Sequence, residues 1–357
     1  MLETLSHFKR IEPIVIYLFP RHDLLAKFEK AGIKVQCLDV GNKSLLSRIL
    51  LFNRVVKENK PNLIVSTLFK SDLVARIGSI FNRIPLVGTF VNDSYSDSRY
   101  RSLDFMGKFK LKLYQILDRM SGRQHHSFIA NGENIRASNA KVLGIDPEKI
   151  VVIRRGRSID RFRPPAMRDL SEKKFLTVGR LIPRKGHTDL ITAMKKVINM
   201  YPDSNLTIAG DGPERRKLEI LVEGSELQNH VHFSGDVSKV EELLGKSSYF
   251  ILPSHYEGFS GALIEAMLNE IPIIASAIPM NLEAVTHLET AFLFGRGNVG
   301  ELSDAMLWMI ENPDKAGEMA KKARNHALQE FNIKKIAARY EEYLLSVIPP
   351  TNKQINP

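Results

Sequence analysis

Short apolar segments rich in β-branched residues alternate with longer helical patterns along the whole of this 357-residue chain. This alternation is typical of repeated strand–helix units, which build parallel sheets covered by helices. The predicted strands are residues 13–19, 33–40, 62–67, 85–90, 126–131 and 149–155 in the first half, and 174–179, 205–210, 231–235, 249–254, 272–276 and 291–295 in the second. We therefore expect an α/β protein with two similar halves.

The two halves differ in charge. Residues 1–164 carry 29 basic and 15 acidic residues, whereas the remainder carries 22 and 25. Residues 156–172 are rich in Pro, Arg and Gly, which indicates a connection between domains. We expect one domain at 1–164, a second at 165–335, and a C-terminal helix at 336–350 that packs back on the first domain. Positive charge confined to one half argues against a nucleic-acid partner and suits an anionic surface.

The cysteine and histidine content argues against disulfide bonds and metal sites. The only cysteine, Cys37, excludes a disulfide framework and a cysteine metal cluster and indicates a reducing, cytoplasmic compartment. No apolar run approaches the roughly 20 residues that cross a bilayer, and no secretory signal is recognisable. His125 and His126 would point to opposite sides of a strand, so we expect no metal site there.

A glycine-rich turn between a strand and a helix is the most informative segment, YEGFSGALIEAMLNE at 256–270. Four residues form the turn: Gly258, Phe259, Ser260 and Gly261. Backbone N–H groups and the positive end of a helix dipole would converge there on a phosphate. Glu257 and Glu265 would flank it with carboxylates that suit a sugar and a ribose. Alternatively, the glycines only shape the turn, Glu257 caps it and Glu265 is solvated.

A second segment, residues 175–194, ends a strand at Gly179-Arg180 and starts a helix near Lys185-Gly186. Arg180 and Lys185 would lie at the carboxyl end of a strand, where open α/β sheets bind ligands. They can supply the positive charge that a diphosphate leaving group needs. The alternative is a pair of solvated loop side chains.

Taken together, these segments resemble the retaining glycosyltransferases of family 4, which have the GT-B fold of two facing Rossmann-like domains with parallel sheets and a cleft between them. The motifs that carry the resemblance are Gly179-Arg180 with Lys185-Gly186, Gly210 to Pro213, Leu252 to Ser254, and the Glu257-x7-Glu265 motif. The resemblance implies that Arg180 and Lys185 hold the donor diphosphate. It also implies that Glu257 and the backbone after it address the sugar and phosphate, and that Glu265 binds the ribose. By the same resemblance, residues 165–335 are the donor-binding domain and residues 1–164 the acceptor-side domain.

The family resemblance also implies the reaction. It is transfer of a sugar, with retention, from a nucleoside diphosphate sugar (a UDP- or GDP-sugar) to a hydroxyl of a glycolipid or polysaccharide acceptor, with no metal and no other cofactor. A non-catalytic nucleotide-sugar-binding or assembly subunit is the alternative, because the start of the chain departs from the family. It opens with helix-like LETLSHFKR, and residues 19–22 after the first strand contain no glycine. The family's first strand and Gly-rich loop are therefore expected to be missing.

Three weaker features complete the prediction. Gly210 to Pro213 suits a structural turn, with Pro213 at the first position of a helix. Glu283, after a strand, suits a structural or rim role. Where the family often has a histidine, this chain has Asn92, which can hydrogen-bond a sugar but cannot titrate.

Residues 99–123 carry seven basic residues against Asp104 and Asp118. On a helical wheel, five apolar residues share one face and three basic residues line one flank: Phe105, Phe109, Leu113, Ile116 and Met120, and Lys108, Lys112 and Arg119. This pattern suits an amphipathic helix at an anionic membrane, and hence a peripheral contact with the cytoplasmic membrane face. The alternative is a surface helix whose apolar side packs in the core.

Overall fold

The computed structural model describes residues 2–18, 25–38, 44–80, 82, 84–101 and 103–349. The chain divides into two compact units, 1–155 together with 333–357, and 156–332. The first boundary thus lies earlier in the chain than the expected 164. The final helix begins at Ile333 rather than at 336 and belongs to the first unit.

The first unit contains only parallel strand pairs among its described residues. Strands β1 (Ile14–Tyr17) and β2 (Lys34–Cys37) pair with each other, and β3 (Ile64–Thr67), β4 (Leu86–Phe90), β5 (Ser127–Ala130) and β6 (Ile150–Val152) pair in chain order. The helices are α1 (Leu2–Leu5), α2 (Leu25–Lys30), α3 (Leu45–Asn59), α4 (Phe69–Ser79), α5 (Asp97–Arg101), α6 (Phe105–Ser121), α7 (Glu133–Leu143) and, from the end of the chain, α15 (Ile333–Val347). The six strands predicted for this half are confirmed with shorter bounds. Residues 19–22, where no Gly-rich loop was found, lie outside the described residues.

The second unit is a six-stranded parallel sheet with the order β12-β11-β10-β7-β8-β9. Its strands are β7 (Lys174–Val178), β8 (Asn205–Ala209), β9 (Val231–Gly235), β10 (Tyr249–Leu252), β11 (Ile273–Ser276) and β12 (Phe292–Phe294). Its helices are α8 (His187–Met200), α9 (Arg215–Gly224), α10 (Val240–Lys246), α11 (Gly261–Leu268), α12 (Pro279–Leu282), α13 (Val299–Glu311) and α14 (Pro313–Glu330). All six predicted strands are confirmed. Strands β8 and β9 follow β7 on one side of the sheet, and β10, β11 and β12 follow it on the other, so the strand order reverses between β7 and β10.

Residues 156–172 are an integral part of the second unit, which corrects their interpretation as a simple connection between domains. The Phe162 side chain is 1% exposed. The Arg168 guanidinium donates to the carbonyls of Leu244 at 2.7 Å and Asn269 at 2.9 Å. Burial lowers the pKa of Arg168 to about 10. A Pro- and Gly-rich composition predicted the irregular backbone here but not its burial.

One carboxylate of α15 fixes the start of the chain. Glu341 Oε1 accepts the backbone N–H groups of Lys9, Arg10 and Ile11 at 2.8, 2.6 and 2.9 Å. Hydrogen bonds to a charged acceptor are stronger than those between neutral groups. The segment that follows the first helix is therefore attached to the first unit by hydrogen bonds to α15 and not by pairing with a strand of the sheet.

A buried polar cluster lies beside the four-stranded sheet. Arg76, 1% exposed, donates from Nη1 to Asp118 Oδ1 at 2.5 Å and from Nε to His125 Nδ1 at 3.2 Å. Tyr95 donates its hydroxyl to Asp118 Oδ2 at 2.8 Å. Asp72, 3.9 Å from Arg76, is the second carboxylate of this cluster. A buried charge is tolerated only when it is paired and hydrogen-bonded, so these contacts fix how α4 and α6 pack.

We expect Asp72→Asn to stabilise the first unit at neutral pH. Burial raises the pKa of Asp72 to about 6, an effect partly offset by Ser66 and Arg76. The folded state therefore keeps its proton while the unfolded state loses it, and stability falls as pH rises from about 4 to 6. The asparagine variant avoids this loss of about 3 kcal/mol at pH 7. Urea unfolding of the variant and the parent, followed at several pH values by amide exchange in β3 and β4, should show a higher free energy of unfolding for the variant at pH 7. This difference should disappear near pH 4. Exposed Asp314→Asn is the control, and equal midpoints for Asp72→Asn and the parent at pH 7 would contradict the prediction.

Candidate functional site

The loops that follow β7 and β10 meet at the point where the strand order reverses. In open α/β sheets this point, beyond the carboxyl ends of the strands, is where ligands bind. The loop after β7 runs from Gly179 to Gly186, and the loop after β10 runs from Pro253 to Ser260. The two segments that the sequence analysis identified, residues 175–194 and 256–270, therefore meet at the carboxyl ends of β7 and β10.

Glycines allow these loops to approach each other closely. A Cβ on Gly186, whose φ is +70°, would lie 2.0 Å from the Pro253 carbonyl oxygen. His255 N–H donates to the Arg184 carbonyl at 2.8 Å across the same contact. A side chain at position 186 would force the two loops apart.

Gly210 and Gly212 hold the first of these loops from its other side. A Cβ on Gly210 would lie 2.1 Å from the Gly179 carbonyl oxygen, and one on Gly212 would lie 2.4 Å from that of Leu181. Leu181 N–H donates to the Asp211 carbonyl at 2.9 Å. The structural role predicted for this turn is thus supported. Its helix begins only at Arg215, however, so the prediction that Pro213 is the first helical residue is wrong.

Glu257 is the centre of a charged cluster. Its side chain is 6% exposed and pairs with Lys185 Nζ, and Arg184 Nη1 lies 3.3 Å from its other oxygen. Ser254 Oγ donates to Glu257 Oε1 at 2.8 Å. The Ser254 carbonyl in turn accepts from Ser276 Oγ at 2.6 Å. Two cations and one buried carboxylate are therefore held in fixed positions at the strand ends.

The turn after Glu257 presents its backbone rather than its side chains. Gly258, Ser260 and Gly261 are buried, and Phe259 is 2% exposed with its ring centroid 5.4 Å from that of Phe331. Phe259 therefore anchors the turn in the core and can contribute only backbone to a ligand. Ser260 precedes α11 without a capping hydrogen bond from its side chain. An anion at this turn would therefore accept hydrogen bonds from the first backbone N–H groups of α11.

Arg180 and Glu265 lie outside the Glu257 cluster. Arg180 is exposed, and among the described residues it forms none of the ion pairs around Glu257. Glu265, in the second turn of α11, accepts from Arg157 Nε at 2.6 Å. Arg157 is itself fixed by its N–H, which donates to the Phe331 carbonyl at 2.9 Å. One carboxylate is therefore oriented by a guanidinium that the sequence pattern did not indicate.

The first unit has a pocket at the carboxyl ends of β3 and β4. Polar and aromatic side chains line it, among them Asp72, Asn92, Tyr95, Arg99 and Tyr114. Asn92 is exposed at this pocket, and Asp93 accepts from Ser138 Oγ at 2.7 Å. Hydroxyl, amide and carboxylate groups together with aromatic rings suit a hydroxyl-rich ligand.

The remaining predicted residues have structural surroundings. His125 is buried and His126 is exposed, as expected for neighbours on opposite sides of a strand. Glu283 is half-buried at the end of α12. No group of three or more potential metal ligands occurs in the part of the chain that the structure describes. Over the same part, every helix is too short or too polar to cross a bilayer.

Sequence reasoning missed Arg157, Arg184 and Ser254. Arg184 is adjacent to Lys185, and Ser254 ends the Leu-Pro-Ser motif, so both were within recognised segments without an assigned role. Arg184 contacts Glu257 across 73 positions of the chain, from the end of one strand to the end of another, whereas Ser254 contacts it from three positions away. Arg157 lies in the segment interpreted as a domain connection, where no sequence signal distinguishes it from its neighbouring arginines.

Two family models match this chain. Residues 158–326 match the model for glycosyl transferases group 1, and residues 13–156 match the model for a glycosyl transferase 4-like domain. The matched ranges cover the strands and loops of the site in the second unit. They also include most of the described first unit.

Curated relatives support the same class. A 2-deoxystreptamine N-acetyl-D-glucosaminyltransferase from Niallia circulans is 30% identical over 164 residues, which is 45% of this chain and 42% of the relative. A UDP-Gal:alpha-D-GlcNAc-diphosphoundecaprenol alpha-1,3-galactosyltransferase from Escherichia coli is 26% identical over 86% of this chain and 80% of the relative. With several other relatives the match spans about half of their length.

A solved structure extends the likeness to the whole fold. HepE from Anabaena, crystallised in complex with UDP-glucose, superposes with a TM-score of 0.83 over 97% of this chain and 94% of its own, at 23% identity. At this identity the likeness shows the fold, and it confirms the GT-B class expected from the sequence.

Proposed function

Because this chain belongs to the glycosyl transferases of group 1, we propose that it transfers a sugar, with retention, from a nucleoside diphosphate sugar to an acceptor hydroxyl. The observation that carries the proposal is the cluster of Lys185, Arg184 and Glu257 beside the N-terminus of α11. Cations and helix N–H groups suit a diphosphate, and the carboxylate suits sugar hydroxyls.

The charges suit the bond that breaks. As the bond between the anomeric carbon and the diphosphate lengthens, negative charge builds on the diphosphate. We assign the stabilisation of that charge to Lys185 and to the exposed Arg180 on the same loop. Lys185 is 14% exposed, so its charge is less screened than that of a surface lysine. We assign Glu257 to the transferred sugar and Glu265, oriented by Arg157, to the ribose of a UDP- or GDP-sugar.

We propose a glycolipid or polysaccharide acceptor, reached from the cytoplasm at the membrane face. The Escherichia coli relative that matches over most of its length is named for a diphosphoundecaprenol-linked acceptor. The pocket beside Asp72, Asn92 and Tyr114 of the first unit is the proposed acceptor site, since its lining suits hydroxyl groups.

Donor binding and turnover of the full-length protein test the proposal. Calorimetric titration with UDP and GDP should identify one nucleoside diphosphate that binds, and the matching sugar donor should release it when acceptor is added. Arg157→Ala should weaken donor binding by roughly tenfold, because Glu265 loses the partner that orients it. Exposed Arg216→Ala, with its 3.9 Å surface ion pair, is the matched control.

The outcomes separate the alternatives. Binding together with release of nucleoside diphosphate supports the transferase. Binding without release from any donor, in the presence of polyprenol-linked and polysaccharide acceptors, would indicate the non-catalytic binding subunit. Equal donor affinity for Arg157→Ala and the parent would contradict the role of Arg157 in orienting a donor contact.

A further inference from the structure

The apolar face of α6 is exposed to solvent. Seven side chains on this face are between 38% and 82% exposed: Phe105, Met106, Phe109, Leu113, Ile116, Leu117 and Met120. At 100° per residue they occupy a continuous arc of roughly 120°. A contiguous apolar strip of this size on a soluble domain marks an interaction surface.

The opposite face of α6 holds the helix in the first unit. Leu111 is 5% exposed, and Asp118 is buried against Arg76 and Tyr95. Tyr114 packs against Phe69 with ring centroids 4.7 Å apart and the rings tilted by 31°. The helix cannot turn its apolar arc inward without removing Asp118 from the buried Arg76. The exposure is therefore built into the packing.

Basic side chains border both edges of the apolar arc. Lys108, Lys112 and Arg119 follow one edge, Lys110 lies on the other, and all four are exposed. The two acidic residues of this segment are Asp104, which caps the helix by accepting from Gly107 N–H, and the buried Asp118. A second copy of this helix would bring like charges together, whereas an anionic bilayer matches both the apolar arc and its cationic edges.

We infer that α6 is a membrane-docking helix that lies in the plane of an anionic phospholipid bilayer. Its 17 residues would extend about 26 Å along the surface. The aromatic and methionine side chains would lie below the lipid headgroups, and the lysines would lie among the headgroups. This contact needs no turnover and does not rest on the proposed function. If the proposed acceptor site is correct, the same contact would hold that pocket, which Tyr114 of α6 also lines, next to the membrane.

Vesicle sedimentation of the full-length protein tests the inference. We expect binding to vesicles of phosphatidylcholine with phosphatidylglycerol at low salt, weak binding to phosphatidylcholine alone, and release at high salt. Lys108→Ala with Lys112→Ala should lower the partition coefficient roughly 25-fold, at about fivefold per cation. Phe109→Ser with Ile116→Ser should lower it at least tenfold on the same vesicles, because apolar burial supplies the rest of the affinity.

Matched variants on the second unit control for charge and composition. Lys321→Ala with Lys322→Ala removes two exposed lysines of α14, and Ile220→Ser removes an exposed apolar side chain of α9. Both should bind like the parent, and so should Glu257→Gln, which separates membrane contact from the donor site. The inference is overturned if the parent stays in the supernatant, or if the α6 variants and the controls bind alike. It is also overturned if light scattering shows a dimer that Phe109→Ser with Ile116→Ser dissociates, without any vesicle binding.

Discussion

Replacing Glu257 by alanine is expected to lower the rate of nucleoside diphosphate release by about 100- to 1,000-fold. The carboxylate is the proposed contact to the transferred sugar, and it also holds Lys185 and Arg184 in place. Its loss therefore removes one interaction and loosens two cations. Initial rates with saturating donor and acceptor measure the effect as a fall in kcat.

The glutamine variant separates charge from shape. Glu257→Gln keeps the acceptor oxygen for Ser254 Oγ but cannot neutralise two cations. We expect its rate to fall nearly as far as that of the alanine variant, with a melting temperature close to that of the parent. Exposed Glu289→Gln should retain full activity. If Glu257→Gln keeps more than about a tenth of the parent rate while remaining folded, the carboxylate is not part of the transfer step.

The fold could be predicted from the sequence because its strands are compact apolar runs between turn residues. What that pattern could not predict was where each strand ends. The predicted end at Ser254, for example, falls in a site loop, where its hydroxyl donates to Glu257 and its carbonyl accepts from Ser276. Local propensity is overridden there by contacts between loops that are distant in the chain.

Pairing between distant residues explains what the sequence did not reveal at the site. Arg157 and Glu265 are 108 positions apart, and Lys185 and Glu257 are 72 positions apart. The side chains were recognised as charged, but a charged residue is solvated by default. Only the sheet order, with β7 beside β10, brings the Lys185 loop to the Glu257 loop.

The orientation of α6 depends on a partner that a helical wheel does not contain. Periodicity predicted its apolar face, and that face alone would be expected to pack inward. Arg76 is buried, however, and leaving it without Asp118 would cost several kcal/mol. Asp118 lies nearly opposite the apolar arc, so pairing it with Arg76 directs the arc outward.

Removing Lys185 is expected to lower the rate of transfer by about 100- to 1,000-fold, through loss of charge stabilisation on the departing diphosphate. Because the lysine is proposed to act on the diphosphate, Lys185→Ala should also lose most of the preference for a nucleoside diphosphate over the free nucleoside, while affinity for the nucleoside itself stays unchanged. Calorimetric titration with both ligands measures this ratio. Lys195→Ala, on the exposed side of α8, is the matched control.

Lys185→Arg distinguishes position from charge. The guanidinium is larger and planar, and in this position it would meet both Arg184 and the Glu257 carboxylate in a site that leaves Lys185 only 14% exposed. We expect the arginine variant to keep the diphosphate preference in part but to recover little of the rate, since transition-state stabilisation depends on placement within a fraction of an ångström. A Lys185→Ala protein that still prefers the diphosphate as strongly as the parent would move the leaving-group role to Arg180 and Arg184.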